Sequence, residues 1–181
     1  MVYILLADGF EEAEALVTAD LLRRGGCAVT LVGLDDLQVT GAHHITVLAD
    51  TTLAQVDADE IEMLVLPGGL GGVENIQMNL FALALIEAVR NRGAYVAAIC
   101  AAPTILAHLG ILDRRRAVCY PGMEDQMFSA VIQKDTPVVS DGRIITGEAA
   151  GSVFDFALRL VEILKGIEAA QKVRHAIHYR G

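Results

Sequence analysis

Residues 97–104 read AAICAAPT and set Cys100 where a run of small apolar residues gives way to Pro-Thr and a new apolar stretch. An apolar run, a cysteine, two alanines and a proline-initiated helix have the form of a nucleophile elbow. There, small neighbours permit a tight turn and leave the sulfur standing clear. A helix start also offers free N–H groups and the positive end of a dipole, both of which favour thiolate over thiol. Two further stretches carry groups capable of chemistry. In Asp8-Gly9-Phe10-Glu11-Glu12-Ala13-Glu14, Glu11 and Glu12 suit the first turn of a helix, where acids complement the dipole. Glu14 lies one turn on from Glu11, among Ala13, Ala15 and Ala19, so a partly buried carboxyl of raised pKa is expected there. Leu66-Pro67-Gly68-Gly69-Leu70-Gly71-Gly72 lacks both the Lys-Ser/Thr of a P-loop and the spacing of GxGxxG, which argues against a phosphate cradle. Its glycines form either a tight strand-to-helix turn or a row of backbone N–H donors facing a developing negative charge.

The remaining thiols and imidazoles carry weaker signals. Cys27 and Cys119 fall inside apolar, strand-like runs and are expected to be packing residues, leaving Cys100 as the reactive one. Three widely spaced cysteines without a CxxC pair make neither a disulfide framework nor a zinc signature. Free thiols are expected, with the reducing cytosol as the compartment. His43 and His44 are either exposed edge residues or the lining of a pocket or dimer seam. His108 sits in the helix after Cys100 and is expected to be structural. His175 and His178, at i and i+3, are too few ligands for a metal site.

These groups need a scaffold, and the hydrophobic pattern describes one. Val2–Ala7, Cys27–Val32, Met63–Leu66 and Ala94–Ile99 are short, almost continuously apolar runs, as expected of strands covered on both faces. Gln38–Val39 and His44–Leu48 look like an antiparallel excursion around Thr40-Gly41. Ala117–Tyr120, Val138–Ser140 and Arg143–Thr146 are shorter strand candidates. Helical spacing predicts helices over Glu11–Arg24 (ended by Gly25-Gly26), Glu74–Asn91, Pro103–Leu109, Glu124–Val131, Val153–Lys165 and Ile167–His178. Strand–helix alternation implies a mostly parallel sheet between helical layers, and ligands in such sheets collect beyond the carboxyl ends of the strands. All three chemistry-bearing loops fall there.

Composition bounds the rest. At 181 residues, one domain over 1–181 is the simplest organisation, able to bury roughly 70% of its unfolded surface. A net charge of −9 and pI near 4.9 argue against a nucleic-acid face, and the Arg114–Arg116 run suits a solvated loop. The apolar N-terminal run lacks the basic flank of a signal peptide. No apolar stretch approaches the roughly 20 residues of a membrane span.

Four stretches, ADGFEEAEALVTADLLRRGG, VLPGGLGGVENI, YVAAICAAPTILAHLGIL and ITGEAAGSVFDFAL, lie in an order and spacing that resemble the ThiJ/PfpI superfamily, most closely the branch of protein deglycases and YajL-type chaperones. The resemblance spans nearly the whole chain. It implies a flavodoxin-like three-layer α/β sandwich and a homodimer. It places the reactive cysteine at Cys100, its partner carboxyl at Glu14 and the oxyanion-hole amides at Gly69 and Ala101. A protonated Glu14 then steadies the Cys100 thiolate by hydrogen bonding and can serve as general acid or base. The implied chemistry is cofactor-independent: attack on a small dicarbonyl such as methylglyoxal, or on a glycated protein. Oxidation of the same thiolate makes a redox-responsive stress protein or chaperone the rival, and a cysteine peptidase the third. Two departures bear on these. Tyr120 stands where many relatives have a histidine, which removes a Cys–His dyad at that position. Glu148-Ala149-Ala150-Gly151 replaces an RGPG-type loop, putting an acid where a base is expected at the pocket mouth and disfavouring anionic substrates. A third, milder one is Ala102, for the glycine that follows Cys-Ala in much of the family.

Overall fold

The computed structural model describes all residues, 1–181. The chain runs β1 (Val2–Leu6), α1 (Glu12–Arg24), β2 (Val29–Gly33), then a hairpin of β3 (Gln38–Thr40) and β4 (Thr46–Leu48), and β5 (Thr51–Thr52). It continues with β6 (Met63–Leu66), α2 (Leu70–Met78), α3 (Leu80–Asn91), β7 (Tyr95–Ile99), α4 (Pro103–His108), β8 (Arg116–Ala117) and β9 (Val131–Ile132). The strands β10 (Val138–Asp141) and β11 (Ile144–Gly147) precede the helices α5 (Val153–Lys165) and α6 (Ile167–Ala176). Seven strands form one sheet in the order β10-β11-β7-β6-β1-β2-β5. Every neighbour is parallel except the edge strand β10, which runs antiparallel to β11.

The apolar continuity of the central strands explains this arrangement. All five residues of β1 and all four of β6 are buried, because each strand offers side chains to both faces. Tyr3 and Leu5 enter a core with α2, α3 and α4, while Val2, Ile4 and Leu6 enter a second core with α1 and α5. Each fully buried Leu or Ile contributes about 1.5–3 kcal/mol. The result is the expected three-layer sandwich. The order β2-β1-β6-β7-β11 is the flavodoxin-like one, with its topological switch beside β1. The loops after β1, β6 and β7 therefore meet at one end of the sheet.

Several boundaries differ from the sequence expectation. The stretch 74–91 is two helices, because the Asn79 side chain accepts from the N–H groups of Phe81 and Ala82 and caps a new start. The helix expected over 124–131 shrinks to one tight turn, Glu124–Met127, and Phe128 adopts a positive φ of 48°. Cys27 and Cys119 lie outside strands, Cys27 before β2 and Cys119 beyond β8, yet both are buried as packing residues should be. No helix is long and apolar enough to cross a membrane.

Candidate active site

Cys100 sits immediately after β7 with φ of +65°. This left-handed conformation is costly for a residue with a Cβ and typical of a strained elbow. Backbone bonds hold the strain in place: the Cys100 N–H donates to the Gly147 carbonyl at 3.0 Å, and the Cys100 carbonyl accepts from Tyr120 N–H at 2.7 Å. The N–H groups of Ala101 and Gly69 are directed at the Cys100 sulfur. Gly69 precedes α2 with φ of +87°. A Cβ on it would lie 2.6 Å from the Glu11 nitrogen, so only glycine lets the loop after β6 approach the loop after β1. The Glu11 N–H, in turn, donates to the Gly68 carbonyl at 2.9 Å.

Glu14 is 1% exposed. Its Oε2 accepts a 2.6 Å bond from Gly68 N–H, while Oε1 has no partner. Burial lifts its carboxyl from 4.5 to about 7, against the Gly68 and Cys100 hydrogen bonds that lower it; the Glu11 charge adds to the rise. At Cys100 the helix start does not prevail as the sequence suggests. Burial, the Glu14 charge and the Glu14 hydrogen bond push the thiol from 9.0 up to about 12, against the Ala101 and Gly69 amides. A buried carboxyl and a half-buried thiol side by side resist ionising together, so near neutral pH the pair retains one proton between them and titrates as a unit. When that proton rests on Glu14, the sulfur is a thiolate facing two N–H donors. Gly68, in the glycine-rich stretch singled out in the sequence, is what permits the pairing: a Cβ there would fall 2.6 Å from Glu14 Oε2 and 2.7 Å from Cys100 Cβ.

The sulfur opens into a cleft of about 520 Å³ whose walls include Glu11, His43, Gly69, Ala101, Tyr120 and Met123. Tyr120, 48% exposed, takes the wall where a histidine was wanting. Glu148 does not line this cleft; it follows β11 and its carboxylate accepts the Ser152 hydroxyl at 3.4 Å, so the expected acid at the pocket mouth is not there. His44 is exposed, with φ of +64°, and does not reach the cleft. His108 is structural: its Nδ1 lies 2.6 Å from the Thr104 carbonyl and its ring meets Phe128 edge-on at 4.9 Å.

Glu12 departs from its expected capping role. It is buried, and its carboxylate reaches across to the β3–β4 hairpin, accepting from His43 N–H at 2.7 Å, from Ile45 N–H at 3.4 Å and meeting His43 Nδ1 at 2.9 Å. Burial alone would raise its carboxyl, but the bonds from the His43 ring and from the Glu12, His43 and Ile45 amides outweigh it and bring the carboxyl down to about 2. Glu11, Glu12 and His43 place one donor atom each within 4.8 Å of one another. With the Glu12 oxygens and His43 Nδ1 already bonded to each other, the trio is a hydrogen-bonded clamp on the hairpin and not a cation cage.

Residues 1–163 match the DJ-1/PfpI family. The Drosophila melanogaster protein dj-1beta is 40% identical over 94% of this chain and 92% of its own. A crystal structure of that protein superposes with a TM-score of 0.95 at 37% identity, covering 99% of this chain and 98% of that one. A Pyrococcus abyssi protein named as a deglycase is 34% identical over 91% of this chain and 99% of its own. A structure of Toxoplasma gondii DJ-1 described as oxidized has a TM-score of 0.94 at 31% identity, covering 99% of this chain and 98% of that one.

Proposed function

Because the chain belongs to the DJ-1/PfpI family, we propose that it is a cofactor-independent, cysteine-based glyoxalase or deglycase acting on reactive carbonyls such as methylglyoxal. The observation that carries this reading is the Cys100 elbow at φ of +65°, with two amides directed at its sulfur and the buried Glu14 carboxyl beside it. With the proton on Glu14, Cys100 Sγ attacks the aldehyde carbon, and the carbonyl π electrons move onto oxygen. The Gly69 and Ala101 amides hold that developing oxyanion, and Glu14 delivers its proton to it, giving a hemithioacetal. The Glu14 carboxylate then takes the proton from the sulfur-bearing carbon and returns it to the neighbouring carbon, while the hydroxyl proton passes from the first oxygen to the former ketone oxygen, converting the adduct to a thioester. Water cleaves the thioester to lactate and the free thiol. Nothing beyond water enters, so the sum is one methylglyoxal plus one water to one lactic acid. An aldehyde adduct on a protein amine enters by displacement: sulfur bonds to the carbinol carbon as its C–N bond breaks, and the amine leaves with the proton from Glu14, giving the same hemithioacetal. The deglycase name of the Pyrococcus abyssi relative supports the carbonyl class.

The test is lactate production from methylglyoxal by the purified protein, wild type against Cys100→Ser. Cys100-dependent turnover supports the reading, and full turnover by Cys100→Ser overturns the mechanism. A second reading, a redox-responsive protein oxidised at Cys100, draws on the Toxoplasma gondii relative whose structure is described as oxidized. No turnover, with a mass gain of two oxygens at Cys100 under mild peroxide, favours it. Cys100-dependent peptide cleavage would instead favour a peptidase.

A further inference from the structure

The chemistry above ends in the hydrolysis of an acyl group on Cys100, and nothing described so far activates the water. Glu14 is 1% exposed and pairs with the sulfur itself, while Tyr120 offers a hydroxyl and no imidazole. His43 is different. It lines the same cleft as Cys100 and comes from the turn of the β3–β4 hairpin. Its position is fixed from below: its N–H and its Nδ1 both engage the buried Glu12 carboxylate, and the loop is laced to the loop after β1 by Ala42 N–H to the Phe10 carbonyl at 2.8 Å. A carboxylate on Nδ1 holds the proton there and leaves the Nε2 lone pair free, the arrangement by which a histidine becomes an oriented base. Nε2 has no protein partner and the side chain is 67% exposed. The charged groups within 4 Å of the ring are Glu12 and Glu11, at 2.9 and 3.7 Å; Cys100 and Tyr120 line the rest of the cleft, and Glu14 is buried outside its lining.

We propose that His43, oriented by Glu12, is the general base that activates water to release acyl groups from Cys100, supplying from the hairpin the imidazole missing at position 120. Nε2 takes a proton from water as its oxygen bonds to the thioester carbon. The oxyanion forms toward the Ala101 and Gly69 amides. The C–S bond then breaks with its electron pair on sulfur, and the Nε2 proton passes to that sulfur or to solvent. The inference rests on the cysteine-thioester reading but not on carbonyl chemistry, and this makes the two separable.

Acetylation by p-nitrophenyl acetate loads Cys100 without any dicarbonyl, and the decay of the acetyl-enzyme reports water activation alone. Wild-type decay should rise with pH to an inflection above 6.5, because Glu12 and Glu11 hold a proton on His43 more tightly than usual. His43→Gln should keep the burst of nitrophenolate yet slow the decay about 100-fold, as expected for loss of a general base. His43→Ala, at an exposed position, should match it. Glu12→Gln should keep an active base whose inflection moves down toward that of an ordinary histidine, a displacement a merely structural role would not produce. Equal decay rates in wild type and His43→Gln overturn the inference, as does the absence of a Cys100 burst in the wild type. Lactate formation with His43-independent decay sinks this inference and leaves the proposed function standing. His43-dependent decay without lactate formation does the reverse.

Discussion

Replacing Glu14 by Gln keeps the acceptor for Gly68 N–H and the side-chain volume while removing the charge, so it isolates what Glu14 does to the Cys100 thiol. In the wild type the pair gives up one proton near pH 7, the value to which burial lifts Glu14. The other leaves only toward 12, where burial and the Glu14 charge drive the thiol. Two unit charges about 4 Å apart at an effective dielectric of about 20 repel by about 4 kcal/mol. At 1.36 kcal/mol per tenfold change, that is a displacement of roughly 3 on the pH scale. Without this repulsion the thiol of Glu14→Gln should ionise between 9.0 and about 12, because the charge is gone and the burial that raises it stays. Alkylation of Cys100 by iodoacetamide, followed by mass across the pH range, should therefore climb in two steps in the wild type. The height of the first, near 7, reports the fraction of singly protonated pairs with the proton on Glu14. The variant should show one step, lower than the second wild-type step but still above 9.0, and none at 7. A step near 7 that survives in Glu14→Gln, or a wild-type profile with a single inflection at the free-thiol value of about 8.5, would refute the shared-proton reasoning.

The same substitution has a consequence for stability. Glu14 binds its proton more tightly folded than unfolded, so its stabilising effect is complete below 4.5 and is lost as pH rises through about 7; above that the buried charge costs about 3 kcal/mol. Denaturant unfolding should find Glu14→Gln more stable than wild type by about that amount at pH 8 and little different at pH 4. Gly68→Ala should drive its new methyl against Glu14 Oε2 and Cys100 Cβ, cost about 1–3 kcal/mol of stability and abolish the step near 7 in the alkylation profile; an unchanged profile would show that the pair tolerates separation. Cys100→Gly should be more stable than Cys100→Ala by about 1 kcal/mol, because only glycine adopts φ of +65° without strain; the opposite order in a thermal melt would mean the elbow is unstrained.

The scaffold was legible because its signal is local. VYILL, MLVL and YVAAI carry the apolar continuity of strands buried on both faces, and each can be read within its own five residues or so. The edge strand β5, two threonines half-buried beside β2, has no such signal, since an edge strand is defined by what pairs with it. The split at Asn79 was readable in kind: an Asn before Leu-Phe-Ala is a cap, but helical periodicity across it conceals the break. Cys100, Glu14, Gly69 and Ala101, singled out by small-residue turns and by a family resemblance, do come together at the switch point of the sheet. What geometry added there is the direction of the thiol's shift, a pair property invisible to either residue alone.

Glu12 and His43 show most clearly where sequence reasoning stops. Glutamates at residues 11 and 12 in a first helical turn look alike to any argument from the dipole, yet Glu12 is buried and Glu11 is not. The difference is made 31 residues away, by a hairpin loop that presents two N–H groups and an imidazole to one carboxylate. The loop can close over it because Gly41 leaves no side chain where the Glu12 carboxyl lies. A capping acid would contribute about 0.3–1 kcal/mol through the dipole. One that satisfies a loop's amides contributes more and also determines where His43 sits. The pattern that could have revealed it is a glycine, then a histidine two positions on, in a hairpin tip facing an acidic helix start. That pattern becomes informative only once the sheet order places the tip of β3–β4 over the carboxyl end of β1, and the sheet order is the step that carries a list of reactive residues into a site.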